Sequence, residues 1–152
     1  MDAEYVDSAS RVPAKILLAD DSAVERLALA HFLRRQGYEV DECEDGRSAI
    51  AYLQDNEIDL LLLDLQMPNV DGFEVLNYLQ KHRRGLPVVL LSGMPVDLIQ
   101  LKMHGLSHQE LPPLFLKPVD LDQLIAVLDL QLSGELRDIK SQASGGGFDR
   151  PS

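Results

Sequence analysis

Hydrophobic and polar positions along this chain fall into two alternating rhythms. Short strand-like runs stand at KILLA (15–19), YEVDE (38–42), IDLLLL (58–63), PVVLL (87–91) and LFL (114–116). Amphipathic stretches separate them. In the first, SAVERLALAHFLRRQG, Leu29, Phe32, Leu33 and Gln36 follow one another at i, i+3, i+4 and i+7, a spacing that predicts a helix. Ser22 with Glu25 three residues later forms a capping-box pattern at its start, and Gly37 is a natural stop. Further helices are predicted near 46–56, 72–83, 95–104 and 120–133, the last opened by Asp120 as N-cap.

Strand-like runs that each precede a helix imply parallel pairing through right-handed crossovers. The runs at 60–63 and 88–91 are apolar at both parities, so helices should cover both faces of those strands. A three-layer α/β sandwich follows. Residues 1–13 are polar and aperiodic and are expected to form a weakly ordered leader; the folded unit is expected over 14–133. From 134 to 152 the pattern decays into a glycine-rich stretch, either a tail or a linker.

Composition narrows the function classes. At 152 residues and 45% hydrophobic content, the chain can bury one ordinary core. A formal net charge of -11 argues against this segment gripping nucleic acid or an anionic membrane by itself. Cys43 is the only cysteine, which excludes an internal disulfide and suits a reducing compartment. No run of about 18 apolar residues predicts a membrane span. The expectation is a soluble, cytoplasmic protein.

Chemistry gathers at the strand ends. Ligands of open parallel α/β sheets bind outside the carboxyl ends of the strands. There the first strand ends in Asp20-Asp21, the third in Asp64, the fourth in Ser92-Gly93 and the fifth in Lys117-Pro118. Each has a plain reading alone: acids at a helix start, a turn residue before Pro68 and Gly72, a loop serine, a solvated lysine. Together they form a site. Carboxylates held this close repel unless compensated, and Mg²⁺ suits one or two carboxylates plus phosphate oxygens. An Asp64 kept ionised between a metal and Lys117 could attack phosphorus and become an acyl phosphate.

DD (20–21), DLQMPNVDG (64–72), SG (92–93) and KP (117–118) occur in order at spacings that resemble the receiver domain of two-component response regulators. The resemblance covers roughly residues 14–131. It implies a flavodoxin-like (βα)5 fold with a parallel five-stranded sheet ordered 2-1-3-4-5. By the same resemblance, Asp64 is the phosphoacceptor. Asp21 is a direct Mg²⁺ ligand, Asp20 a water-mediated one, and the Gln66 backbone carbonyl a further contact. Ser92 bonds the phosphoryl group, Lys117 pairs with its charge, and the Lys117–Pro118 peptide is cis. The phosphodonor would be a histidine kinase or histidine phosphotransfer protein, and the readout a downstream output domain or protein. Any homodimer would use the face built from the fourth helix, fifth strand and fifth helix. Such a module takes part in its own phosphorylation and dephosphorylation but is not an enzyme in the usual sense.

Two positions depart from the family pattern. The switch aromatic falls on Leu114, with Phe115 expected on the opposite face. The stretch 104–115 is longer than usual and carries Pro112-Pro113. Both favour, as an alternative, an interaction module that works without phosphate. A phosphohydrolase is a third reading, weakened because Gln66 stands where a general acid two residues after the nucleophile would be needed. His104 and His108 have metal-like spacing but no third ligand, so zinc is not expected. The series Leu121, Ile125, Leu128 and Leu132 is expected to be a core face.

Overall fold

The structure is a computed structural model that describes residues 12–67, 70–95 and 112–133. Among the described residues, nine elements follow in chain order: β1 (Lys15–Ala19), α1 (Ala23–Arg35), β2 (Glu39–Cys43), α2 (Gly46–Asp55), β3 (Leu60–Asp64), α3 (Gly72–His82), β4 (Val88–Ser92), β5 (Leu114–Leu116) and α4 (Leu121–Ser133). The strands form one sheet in the order β2-β1-β3-β4-β5, with every pairing parallel. This is the doubly wound order expected, and the strand bounds differ from the expected ones by two residues at most.

Period-two alternation divides the leucine run of β3 between two cores. Leu61 and Leu63 join Leu17, Leu53, Val75, Leu76 and Leu90 beneath α2 and α3. Leu60 and Leu62 join Ile16, Leu18, Leu33, Leu91, Leu124 and Leu128 beneath α1 and α4. All four leucines are fully buried. Each contributes about 1.5–3 kcal/mol relative to an exposed position, so β3 offers a firmly held tip to a functional group.

Local signals set the helix limits. Gly37, at φ +101, follows the C-cap Gln36 and turns the chain towards β2. Gln36 itself is exposed. The apolar stripe therefore ends at Leu33 and does not extend to Gln36, because the helix stops at Arg35 and the Gln36 N–H closes its last turn. At the start of α4, Asp120 Oδ1 accepts from the Gln123 N–H at 3.1 Å, as an N-cap should. The buried face of that helix is centred on Leu124 and Leu128, with Ile125 and Leu132 partly covered. Leu121 was expected in the core, but it is exposed, one turn before the buried pair begins.

Leu114 packs with the α2–α3 core and Phe115 with the α1–α4 core, so neighbouring residues of β5 serve opposite layers. The expected fourth helix (95–104), His104, His108, Pro68, and both flanks (1–11 and 134–152) lie outside the described residues. No helix among the described residues is long and apolar enough to cross a membrane.

Candidate functional site at the strand tips

Because β1 and β3 are neighbours in the sheet, the residues that end them meet. Asp20 and Asp64 are almost fully buried, at 1% and 2% exposure, whereas Asp21 faces solvent. One oxygen from each of the three carboxylates can lie within 4.8 Å of the other two. Lys117, carried in from the end of β5, places its Nζ 2.9 Å from Asp64 Oδ2 and 3.1 Å from Asp20 Oδ2. The Lys117–Pro118 peptide is cis, as expected.

Each buried acid spends its second oxygen on the backbone. Asp64 Oδ1 accepts from the Gln66 N–H at 2.9 Å, and Asp20 Oδ1 from the Ser22 N–H at 2.9 Å. This leaves the carboxylates fixed in orientation before anything binds. Burial pushes the Asp64 carboxyl above the usual carboxylate range, with Asp20 adding repulsion; Lys117 and the Gln66 N–H oppose the shift. For Lys117, burial disfavours the charge. Hydrogen bonds to Glu25, Asp64 and Asp20 outweigh that cost and hold the ammonium above the ordinary lysine value.

In the sequence Glu25 has only the signature of half a capping box. Its carboxylate instead meets Lys117 Nζ at 2.8 Å. The Ser22 N–H that would close the box goes to Asp20, so only the bond from the Glu25 N–H to Ser22 Oγ, at 3.4 Å, remains. A complete capping box forms at Asp71 and Glu74 on α3, where the D-x-x-E spacing was present in the sequence. That helix starts against the site: the Gly72 N–H donates to the Leu65 carbonyl at 3.2 Å.

Ser92 is fully buried at the end of β4. Its hydroxyl donates to the Met94 carbonyl and accepts from Gln66 Nε2 at 2.9 Å. The Gly93 N–H donates to Gln66 Oε1 at 2.8 Å. The sequence marks Gln66 for its backbone carbonyl and for the lack of an acid at that position. Its side-chain role has no local signature, but the adjacency of β3 and β4 would have placed it beside Ser92.

A groove of about 250 Å³ opens beside the acids, between α1 and the β5–α4 connection. Leu29, Phe32, Leu91 and Leu121 line its apolar wall, and Asp20, Glu25 and Lys117 edge it. Val24 and Leu27 are exposed on α1.

The acidic triad fits a hard divalent cation: all three donors are carboxylate oxygens, one is open to solvent, and Lys117 pairs with the two buried ones.

Comparison with known proteins agrees with this geometry. A family model described as the response regulator receiver domain matches residues 16–129. The chain is 31% identical over 128 residues to the transcriptional regulatory protein PdtaR of Mycobacterium tuberculosis, covering 84% of this chain and 60% of that protein. It is 40% identical over 92 residues to response regulator RR06 of Streptococcus pneumoniae, covering 60% of this chain and 42% of that protein. The chain thus spans less than two thirds of the length of these curated relatives. Among solved structures, Vibrio cholerae chemotaxis protein CheY4 superposes with a TM-score of 0.67 at 29% identity, covering 80% of this chain and 100% of that one. A CheY-like receiver domain protein from Methanospirillum hungatei superposes at 0.74 and 22% identity, covering 84% and 99%. At that identity it speaks for the fold alone.

Proposed function

The chain belongs to the response regulator receiver family, a signalling module rather than a classical enzyme, and on that premise we propose that Asp64 is its phosphoacceptor. The observation that carries the proposal is a buried carboxylate clamped by Lys117 on one oxygen and by a backbone N–H on the other. A clamped, desolvated carboxylate is positioned for in-line attack, and its reorganisation cost has already been met in folding.

The donor in this reading is a phosphorylated imidazole on a histidine kinase or histidine phosphotransfer protein. An Asp64 oxygen forms the new P–O bond as the P–N bond breaks. The imidazole nitrogen keeps the electron pair and takes up a proton from solvent. Mg²⁺ held by Asp20, Asp21, Asp64 and the Gln66 carbonyl would neutralise charge on the transferring group. Lys117 supplies the second positive charge and Ser92 a hydroxyl for a phosphoryl oxygen. Water later attacks the phosphorus, the Asp64 O–P bond breaks, inorganic phosphate leaves and the carboxylate is restored.

To deliver its imidazole, a donor protein must cover the rim of the pocket. The apolar groove of Leu29, Phe32 and Leu121, with exposed Val24 and Leu27 nearby, supports docking of the donor there. Residues 14–133 would form the receiver unit, flanked by 1–13 and 134–152, and would work in the cytoplasm with a downstream output domain or protein as readout.

Incubation with acetyl phosphate and Mg²⁺ tests the reading. The wild type gains the mass of one phosphoryl group, and Asp64→Asn gains none. A folded wild type that stays unmodified overturns it. A phosphate-independent interaction module is the second reading, favoured by Leu114 at the switch position, where no aromatic ring is available to swing. Equal partner affinity with and without a beryllofluoride mimic would select it.

A further inference from the structure

Three polar groups near Asp64 are already engaged with one another. The Gly93 N–H can only donate, which fixes the orientation of the Gln66 amide: Oε1 faces Gly93 at 2.8 Å and Nε2 faces Ser92 Oγ at 2.9 Å. The Ser92 hydroxyl has two acceptors in reach, the Met94 carbonyl and Gln66 Oε1 at 3.2 Å, and the Met94 N–H returns to Ser92 Oγ at 3.2 Å. Ser92 is fully buried, so no solvent competes for it. The end of β4 is therefore closed on itself, and the side chain that closes it stands two residues after Asp64.

Resting on the phosphoacceptor reading above, we propose that the Gln66 side chain is a built-in placeholder for phosphoryl oxygens. Its carbonyl oxygen occupies the Gly93 N–H, and its amide group engages Ser92 Oγ. A phosphoryl group on Asp64 brings three strong acceptor oxygens into this corner. It can recruit Ser92 and Gly93 only after the Gln66 amide leaves and the Ser92 hydroxyl turns from its present acceptors. The free protein thus holds the β4 end in one arrangement, and modification must break that arrangement before it can form its own. In population language, only the fraction of molecules with Gln66 released is competent to hold the phosphoryl group fully. Gln66 is a positioning residue in this scheme, acting through Ser92 and Gly93.

The test is beryllofluoride binding in the presence of Mg²⁺, by calorimetry, to the wild type, Gln66→Met and Gln66→Ala. Methionine keeps the length of the side chain and removes both polar ends; alanine controls for the added apolar contact. Removing the placeholder should tighten binding about tenfold in both variants, the size expected when two neutral hydrogen bonds no longer have to break. In the wild type, the side-chain amide NMR signal of Gln66 should move from a bonded to a solvent-exposed position on adding beryllofluoride. A merely structural Gln66 would weaken binding on removal and would leave that signal in place. Unchanged or weaker binding by both variants, with the wild type still binding, overturns the placeholder and leaves the phosphoacceptor reading intact. No binding by any of the three proteins, with Asp64 also inert to acetyl phosphate, overturns both.

Discussion

Gly72, at the first turn of α3, lies against the backbone of Asp64: a Cβ on Gly72 would fall 2.7 Å from the Asp64 carbonyl oxygen and 2.6 Å from Leu65 Cα. Both contacts are to backbone, so no side chain can yield. Gly72→Ala must therefore push α3 away from the tip of β3. We expect a loss of about 1–3 kcal/mol in urea unfolding, the usual cost of overpacking. Acetyl phosphate labelling of Asp64 should slow in the fraction that remains folded. Wild-type stability and labelling in this variant would show that the helix has room to spare.

Lys117 lies within 3.1 Å of two carboxylates that are 1% and 2% exposed. Lys117→Met should destabilise the metal-free protein by roughly 3 kcal/mol, because it leaves buried charge without a partner. Mg²⁺ at one fixed concentration should recover more stability in the variant than it adds to the wild type, since the stabilisation grows with the logarithm of the ligand's affinity. Equal Mg²⁺ increments by thermal unfolding would argue that the lysine and the metal do not share these acids.

Cys43, at the end of β2, is pushed up to about 12 by burial, with the Asp45 charge adding to the shift and Arg26 opposing it. The thiol should resist a disulfide reagent at neutral pH in the native protein and react fully in urea. The sign for stability follows from linkage. The unfolded thiol ionises near its ordinary value while the folded one stays protonated. Stability from this group is thus intact below the unfolded pKa and is lost as pH rises towards 12. Fast native labelling would show that the β2 end opens.

Val24 and Leu27 are exposed on α1, the helix that walls the apolar groove. Val24→Asp and Leu27→Asp should leave labelling by acetyl phosphate unchanged while slowing transfer from a phosphorylated protein donor by about tenfold or more, as expected when a docking contact is lost. Equal slowing with both donors would mean that the substitutions disturb the pocket instead of the docking face.

Much of this architecture is legible in the sequence because burial writes itself as periodicity. Leu60 to Leu63 are apolar at both parities, and both helical layers are there to receive them. Asp20, Asp21, Asp64 and Lys117 are legible for a related reason: they end the apolar runs, and a parallel sheet brings such ends to one edge. Pairings across the edge are less so. Glu25 carries a correct local signal for a cap, but a buried acid takes the Ser22 N–H and a lysine from the far end of the chain takes the Glu25 carboxylate. Gln36 fits the helical period and fails because the helix ends one residue before it. The closeness of Gly72 to Asp64 depends on how α3 sits over β3, which no repeat in the chain encodes.

β5 spans only Leu114–Leu116 and pairs with β4 alone, at the margin of the sheet. Yet it delivers Lys117, the one lysine among the described residues that bonds Asp64. The charge balance of the centre therefore hangs from the most weakly moored stretch of the sheet. If that margin lifts, the two acids are left facing each other; whatever draws the ammonium inward moors the margin in return. Order at the rim and charge balance at the centre are in this sense tied through one side chain.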